Sequence, residues 1–388
     1  LTSANFLETF ASVTFQSGLV VFTTLILARI AKTVREQNRL WTVCHVSLIA
    51  IFFIVLLLPH VRLFPRIATL GGLDVASLLP LESRLGQSVL IVWGVGSGFS
   101  LLMLLVGSIR AIHFLKRSEA IVWDRLPHIF AKTAVPNIAL ENLSNTSIRF
   151  LTNSSLHSPF CWQIHRPTIV LPEYVLSFPT DELRLVILHE MEHLRAGHPL
   201  QLFLQRIVAI VYWFHPTIWL AARHADKSRE MACDENTVSS RQEAAAFLKS
   251  LIRLAEHRTV PARLTAAGLA FGGGSSLVKQ RADRVSRRNW TVESSSVRLS
   301  RWPTRCSILL QLAVVSLSML VWFPVDVTAS NRTWLSPWPS WSAATLQNIG
   351  IKVRDYEIDG HRLRSHEHLS RQQSVDILNH QKPILEKR

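Results

Sequence analysis

Residues 185–198 read LVILHEMEHLRAGH, which sets His189 and His193 four positions apart with Glu190 beside the first. On an α-helix that spacing brings both imidazoles to one face, where they can reach a single ion. Glu190 stands off that stripe and is free to take a proton from a water next to the ion. A hydrolytic zinc site needs three protein ligands, an open position for water and a base of this kind. His189 and His193 are therefore candidate metal ligands, Zn2+ the expected cofactor and Glu190 the candidate catalytic base. The motif is short enough to arise by chance, and Glu192 and Arg195 equally suit a solvated helix face. A third ligand has to come from elsewhere. Residues 229–235, REMACDE, offer Glu230 and, one turn on, Asp234, which suits an acceptor for the second ring proton of a ligating histidine. The alternative for that stretch is an ordinary charged amphipathic helix.

The flanking sequence supplies elements to carry these groups. Thr180 is expected to cap a helix with Asp181 and Glu182 in its first turn, running to about Ala196 and ending at Gly197 and Pro199. Upstream, Ile148 to Leu151 and Pro167 to Leu171 are short apolar or β-branched pieces separated by Asn, Ser and Pro, as strands and turns would be. Downstream, residues 202–222 are strongly apolar but contain Arg206, His215 and Pro216. We expect a helix packed on the motif helix or lying at a bilayer surface, with insertion into the bilayer as the alternative. Helix is expected through Asp234 and again from Gln242. Residues 258–300, with GLAFGGGSS and KQRADRVSRRNW, read as a linker or flexible loop.

The remaining sequence points to a membrane. Of 388 residues 48% are hydrophobic, high for a soluble protein, and they concentrate in runs near the roughly 20 residues that cross a bilayer as helix. Four such runs stand out: about 11–28, 41–59, 87–109 and 306–323. Buried soluble helices are the alternative, disfavoured by four nearly uncharged runs in one chain. Arg29, Lys32, Arg35 and Arg39 follow the first run. Arg110, Lys116 and Arg117 follow the third, and Arg298, Arg301 and Arg305 precede the fourth. Four crossings put all three clusters on one side, which the positive-inside bias makes cytoplasmic. The expected architecture is thus a mainly α-helical membrane protein. Residues 1–109 hold three transmembrane helices, 110–305 a cytoplasmic α+β domain, 306–323 the fourth helix and 324–388 a short extracytoplasmic tail. That tail suits a small recognition element or a disordered segment, and Trp334, Trp338 and Trp341 an aromatic belt or a packed patch.

A net charge of +15 raises the question of nucleic acid. Without a paired-cysteine zinc module or a patterned basic recognition helix, the charge reads instead as positive flanks against anionic membrane lipid, and no direct nucleic-acid binding is expected. Cys44, Cys161, Cys233 and Cys306 have no close spacing, so a disulfide framework is not expected.

The blocks SPFCWQIHRPTIVLP, DELRLVILHEMEHLRAGHPL, WFHPTIWLAARHADKSREMACDE and LAFGGG, in that order, resemble the integral-membrane gluzincin peptidases typified by the beta-lactam sensor-transducers of bacteria. The resemblance covers roughly residues 10–325 and is strongest over 158–236. It implies a peptidase domain inserted between the third and fourth transmembrane helices, facing the cytoplasm of a bacterial cell. It also implies His189, His193 and Glu230 as zinc ligands, Glu190 as catalytic base and Asp234 as the carboxylate behind a ligand. The segment from Phe160 to Leu171, with Phe160, Cys161, Trp162 and Gln163 foremost, resembles the edge that binds substrate backbone by strand addition. Two positions depart from the family: His198 stands where an aspartate is usual, and His215 where asparagine is common. Residues 325–388 are also too few for the extracellular penicillin-binding domain of the sensor-transducers, so the resemblance implies the protease module without that sensor. The expected function is a membrane-embedded zinc metalloendopeptidase in signal transduction. Its expected partner is a cytoplasmic protein substrate, with a transcriptional repressor or the enzyme itself as candidates. The competing reading is an inactive membrane scaffold that keeps the zinc-peptidase fold.

Overall fold

The structure, a computed structural model, describes residues 3–58, 75–121, 148–164, 166–257, 275–288, 302–319, 322, 340–351, 355–358 and 361–364. Three long helices come first: α1 (Ser3–Ile30), α2 (Val34–Leu57) and α3 (Val75–Arg117). All three are long and apolar enough to cross a bilayer. On α3 the apolar side chains are bare: Ile91, Val92, Val95 and Phe99 are largely exposed, as lipid-facing residues are. α1 and α3 extend beyond their apolar runs at both ends, and α2 at its N-terminal end, where charged residues such as Arg35, Glu36 and Arg39 continue the helix. The expected fourth span begins as a helix, Trp302–Ser318. It is 17 residues long, shorter than the other three, and most of residues 319–323 lie outside the described set.

The chain divides into two compact units. One comprises residues 1–23, 46–95 and 309–388 and includes, besides parts of the long helices, a short helix Ser340–Asn348 and a hairpin pairing Asp355–Ile358 with His361–Arg364. Within it Phe6 packs on Trp93, with ring centroids 5.7 Å apart. Of the expected aromatic run, Trp334 and Trp338 lie outside the described residues.

The other unit, residues 24–45 and 96–308, contains the motif. Its sheet has four strands: β1 (Glu119–Ala120), β2 (Arg149–Asn153), β3 (Phe160–Trp162) and β4 (Thr168–Pro172). Their order is β1-β2-β4-β3, parallel between β2 and β4 and antiparallel at both edges. β4 is buried along its whole length, as its run of Thr, Ile, Val and Leu requires of a central strand. Helix α4 (Thr180–Arg195) packs Leu183, Val186, Ile187 and Leu194 on one sheet face, against Phe150, Ile169 and Leu171. The other face takes Ala111 and Leu115 of α3 against Leu151, Trp162 and Val170.

Thr180 does not cap α4. The helix begins at Thr180 with Pro179 before it and no side-chain cap bond, although Asp181 and Glu182 fill the first turn as expected. α4 ends at Gly197, whose φ of 67° is the left-handed conformation that glycine takes without strain. Then follow α5 (His198–Val211), α6 (Pro216–Thr237), α7 (Arg241–Glu256) and α8 (Ser275–Arg287). The 14 residues of α5 are too few to cross a bilayer, and the turn after it sets Trp213 against Gly96, inside the apolar stretch of α3. α7 starts with a cap in which Ser240 accepts from the Glu243 amide, and Glu243 holds Arg184 of α4 at 2.6 Å. α8 corrects the expectation of a linker: part of the basic stretch after the glycines is an ordered helix.

Phe247 joins α4, α6, α7 and α8. Its ring, 1% exposed, belongs to a cluster with Leu185, Val238, Leu251 and Val285. Replacing it with alanine removes most of that contact, and we expect a loss of about 3–5 kcal/mol, measurable as a lower unfolding midpoint in detergent.

Candidate metal centre

Three helices bring these polar groups together. α4 supplies His189, Glu190 and His193, α6 supplies Glu230 and Asp234, and α8 supplies Arg281. All six are buried. All but Asp234 border a cleft of about 500 Å³ whose walls also include Arg223, Asp226 and Lys227.

The donor atoms suit a metal. His189 Nε2 and His193 Nε2 are 3.1 Å apart, His189 Nε2 and Glu230 Oε2 3.6 Å, and His193 Nε2 and Glu230 Oε1 3.5 Å. Bonds of about 2.0–2.1 Å in a tetrahedron put neighbouring ligand atoms about 3.3 Å apart. The triad therefore surrounds one ion's volume with three of four positions. Behind it, His189 Nδ1 lies 3.2 Å from Asp234 Oδ1, in place to fix the ring and its tautomer. Glu190 stands outside the triad. Cys161 Sγ donates to its Oε2 at 3.0 Å, which fixes the carboxylate on the cleft wall. An ion held here would polarise a carbonyl and acidify a bound water, and Glu190 is placed where it could accept a proton from such a water.

Arg281 was not foreseen. Its Nη1 lies 2.8 Å from Glu230 Oε2, and its Nε and Nη2 donate to the two oxygens of Asp234 at 2.8 and 2.7 Å. One guanidinium thus holds both carboxylates that α6 brings to the centre, Glu230 and Asp234. A signal for it exists in the sequence: Val278, Ala282 and Val285 form an apolar stripe at helical spacing, and Arg281 interrupts it with a charge.

Electrostatics separate the two histidines. Burial acts to lower His189, but the carboxylates of Asp234 and Glu230 beside it more than offset that and raise its pKa to about 9. Burial holds His193 well below the ordinary histidine range despite Glu230, so it is neutral. Burial also raises Glu190, against the opposing charge of His189. Metal-free protein at pH 7 therefore carries a proton on His189 that an ion must displace. We expect uptake of zinc near pH 7 to release about one proton, and apparent affinity to fall about tenfold per unit as pH drops from 9 toward 7. Calorimetric titration in buffers of different ionisation heat measures this directly.

Of the residues expected at a substrate edge, Phe160, Cys161 and Trp162 form β3, an edge strand of the sheet. Their side chains face inward. Phe160 and Trp162 pack toward α3, Cys161 contacts Glu190, and Gln163 Nε2 donates to the Leu194 carbonyl at 3.1 Å. What β3 leaves at the sheet edge is its backbone.

A sequence model of the BlaR1 peptidase M56 family matches residues 80–285, just over half the chain and all the groups described above. Among curated proteins, the Regulatory protein BlaR1 of Bacillus licheniformis is 34% identical over 79 residues, 20% of this chain and 13% of that protein. The Methicillin resistance mecR1 proteins of Staphylococcus aureus and Staphylococcus epidermidis are 22% identical over 210 residues, 53% of this chain and 34% of theirs. The chain thus matches about a third or less of the length of these relatives.

Proposed function

Because the chain belongs to the BlaR1 peptidase M56 family of membrane signal-transducing peptidases, we propose that it is a zinc metalloendopeptidase that cuts a cytoplasmic protein in response to a signal. The observation that carries the reading is the triad of His189, His193 and Glu230, spaced for one ion, with Glu190 beside it. The substrate lies along β3, adding a strand to its open edge with the scissile carbonyl over the cleft. A transcriptional repressor, or the enzyme itself, is the substrate class that fits a regulatory peptidase. The names of the relatives, one regulatory and one of antibiotic resistance, support a signalling role. The positive flanks of the apolar runs support a multi-pass protein of the bacterial plasma membrane with this domain cytoplasmic. The contact of Trp213 with Gly96 favours insertion of the α5–α6 turn at the level of α3's apolar stretch.

The test is proteolysis in proteoliposomes, with cell extract from the native host on the side of the domain. The reading expects a defined cut that a zinc chelator abolishes and added Zn2+ restores. Cleavage indifferent to chelation, or no cleavage by zinc-loaded protein under any inducing condition, overturns it in favour of the scaffold.

A further inference from the structure

Beyond His193, buried polar groups continue in a line away from the cleft. His193 Nδ1 is 3.0 Å from His198 Nδ1, and His198 Nε2 is 3.3 Å from the side-chain amide of Asn38. Asn38 and His198 are buried, and Asn38 belongs to α2. We infer that Asn38 is a positioning residue for the metal centre, acting through His198 on His193, so that a membrane helix is wired to a metal ligand. The inference rests on the metal-site reading above.

A proton count carries it. His193 can offer Nε2 to an ion only while Nδ1 holds the ring's proton. That N–H points at His198 Nδ1, which must then be a lone pair, so the proton of His198 is on Nε2 and points at Asn38. In the orientation described, Asn38 presents Nδ2, a second donor, while its buried Oδ1 has no hydrogen-bond partner. A half-turn of the amide exchanges the two and gives that oxygen the His198 proton. The other polarity, Asn38 to His198 to His193, puts a proton on His193 Nε2 and blocks ligation. The amide of Asn38 therefore selects between a ligating and a non-ligating His193.

The placement of α2 makes this a route for regulation. Val34, Asn38 and Trp41 lie on one stripe of the helix. Val34 packs on Met231 and Ala232 of α6, and Trp41 stacks on His224 with centroids 5.5 Å apart. Rotating α2 by one residue, about 100°, takes Asn38 off His198.

Cys233 Sγ lies 3.4 Å from His198 Nδ1, so His193, His198 and Cys233 are also close enough to hold an ion. With the first site filled, that would require His193 to give up both ring protons, which the hydrogen-bonded chain does not.

The experiment is zinc affinity by chelator competition, with the Co2+ absorption spectrum, on the full-length protein in detergent. Asn38→Leu should weaken zinc about tenfold and His198→Leu about 10–100-fold, the range for groups behind a ligand. The double variant should be no weaker than His198→Leu alone. Asn38→Asp, an obligate acceptor, should bind at native affinity or tighter. Arg35→Ala, which removes the contact of α2 with Asn236 but leaves the chain intact, should change affinity less than twofold. Native affinity in Asn38→Leu, multiplicative effects in the double variant, or equal weakening by Arg35→Ala overturns the inference alone. So does a second zinc with a sulfur ligand. Native protein that binds no zinc overturns the reading beneath it.

Discussion

Replacement of Glu190 by glutamine is expected to lower the rate of peptide-bond cleavage by about 10²–10⁴-fold while zinc content stays that of the native protein. The substitution keeps the side chain's volume and an oxygen for the Cys161 thiol. It removes only the carboxylate proposed to take the water's proton. Glu190 lies outside the triad of donor atoms, so the ion is unaffected. Burial raises its pKa toward the working pH, where a general base is most effective. The carboxyl is inactive when protonated, so the acid limb of kcat/KM should fall at a pH above the ordinary glutamate range. The same limb should disappear in the variant's residual activity. Stopped-time cleavage assays across pH, with metal analysis of each sample, check all of this.

Glu230→Ala is expected to empty the site. One of three protein ligands supplies roughly a third of the 10–16 kcal/mol typical of structural zinc, so affinity should fall by about 4 kcal/mol, a thousandfold. The local charge makes the loss worse. Arg281 would keep Asp234 but lose Glu230, leaving a guanidinium 3.3 Å from His189 Nε2 with less negative charge to balance it. Chelator competition reads the affinity. A variant that keeps zinc within tenfold of native would mean that Glu230 is no ligand and serves only as the partner of Arg281.

The helices that carry this chemistry were readable because each rests on local pattern. The four-residue spacing in HEMEH and in EMACD fixes which side chains share a face, and Gly197 marks the end of α4 through a backbone conformation that few residues other than glycine adopt readily. Strands β2 and β4 were readable for the same reason, to within a residue or two, whereas the short edge strands β1 and β3 were not. Arg281 and His198 escaped because their roles are tertiary. Arg281 lies 51 residues beyond Glu230, behind a glycine-rich segment that masked the start of α8. His198 registers in sequence only as a departure from a family pattern, and its meaning depends on Asn38, 160 residues away. Glu230 is the intermediate case. Its helix was legible, but nothing in spacing alone joins residue 230 to residues 189 and 193, which meet because α4 and α6 pack directly on each other.

The most direct test of the account is X-ray absorption at the zinc edge on the native protein reconstituted in lipid. The account predicts one zinc per chain, bound only by nitrogen and oxygen at about 2.0–2.1 Å, with the multiple scattering of two imidazoles. A shell of sulfur at about 2.3 Å would place the ion at Cys233 instead, and absence of zinc from active protein would leave HEMEH as no more than the buried face of a helix.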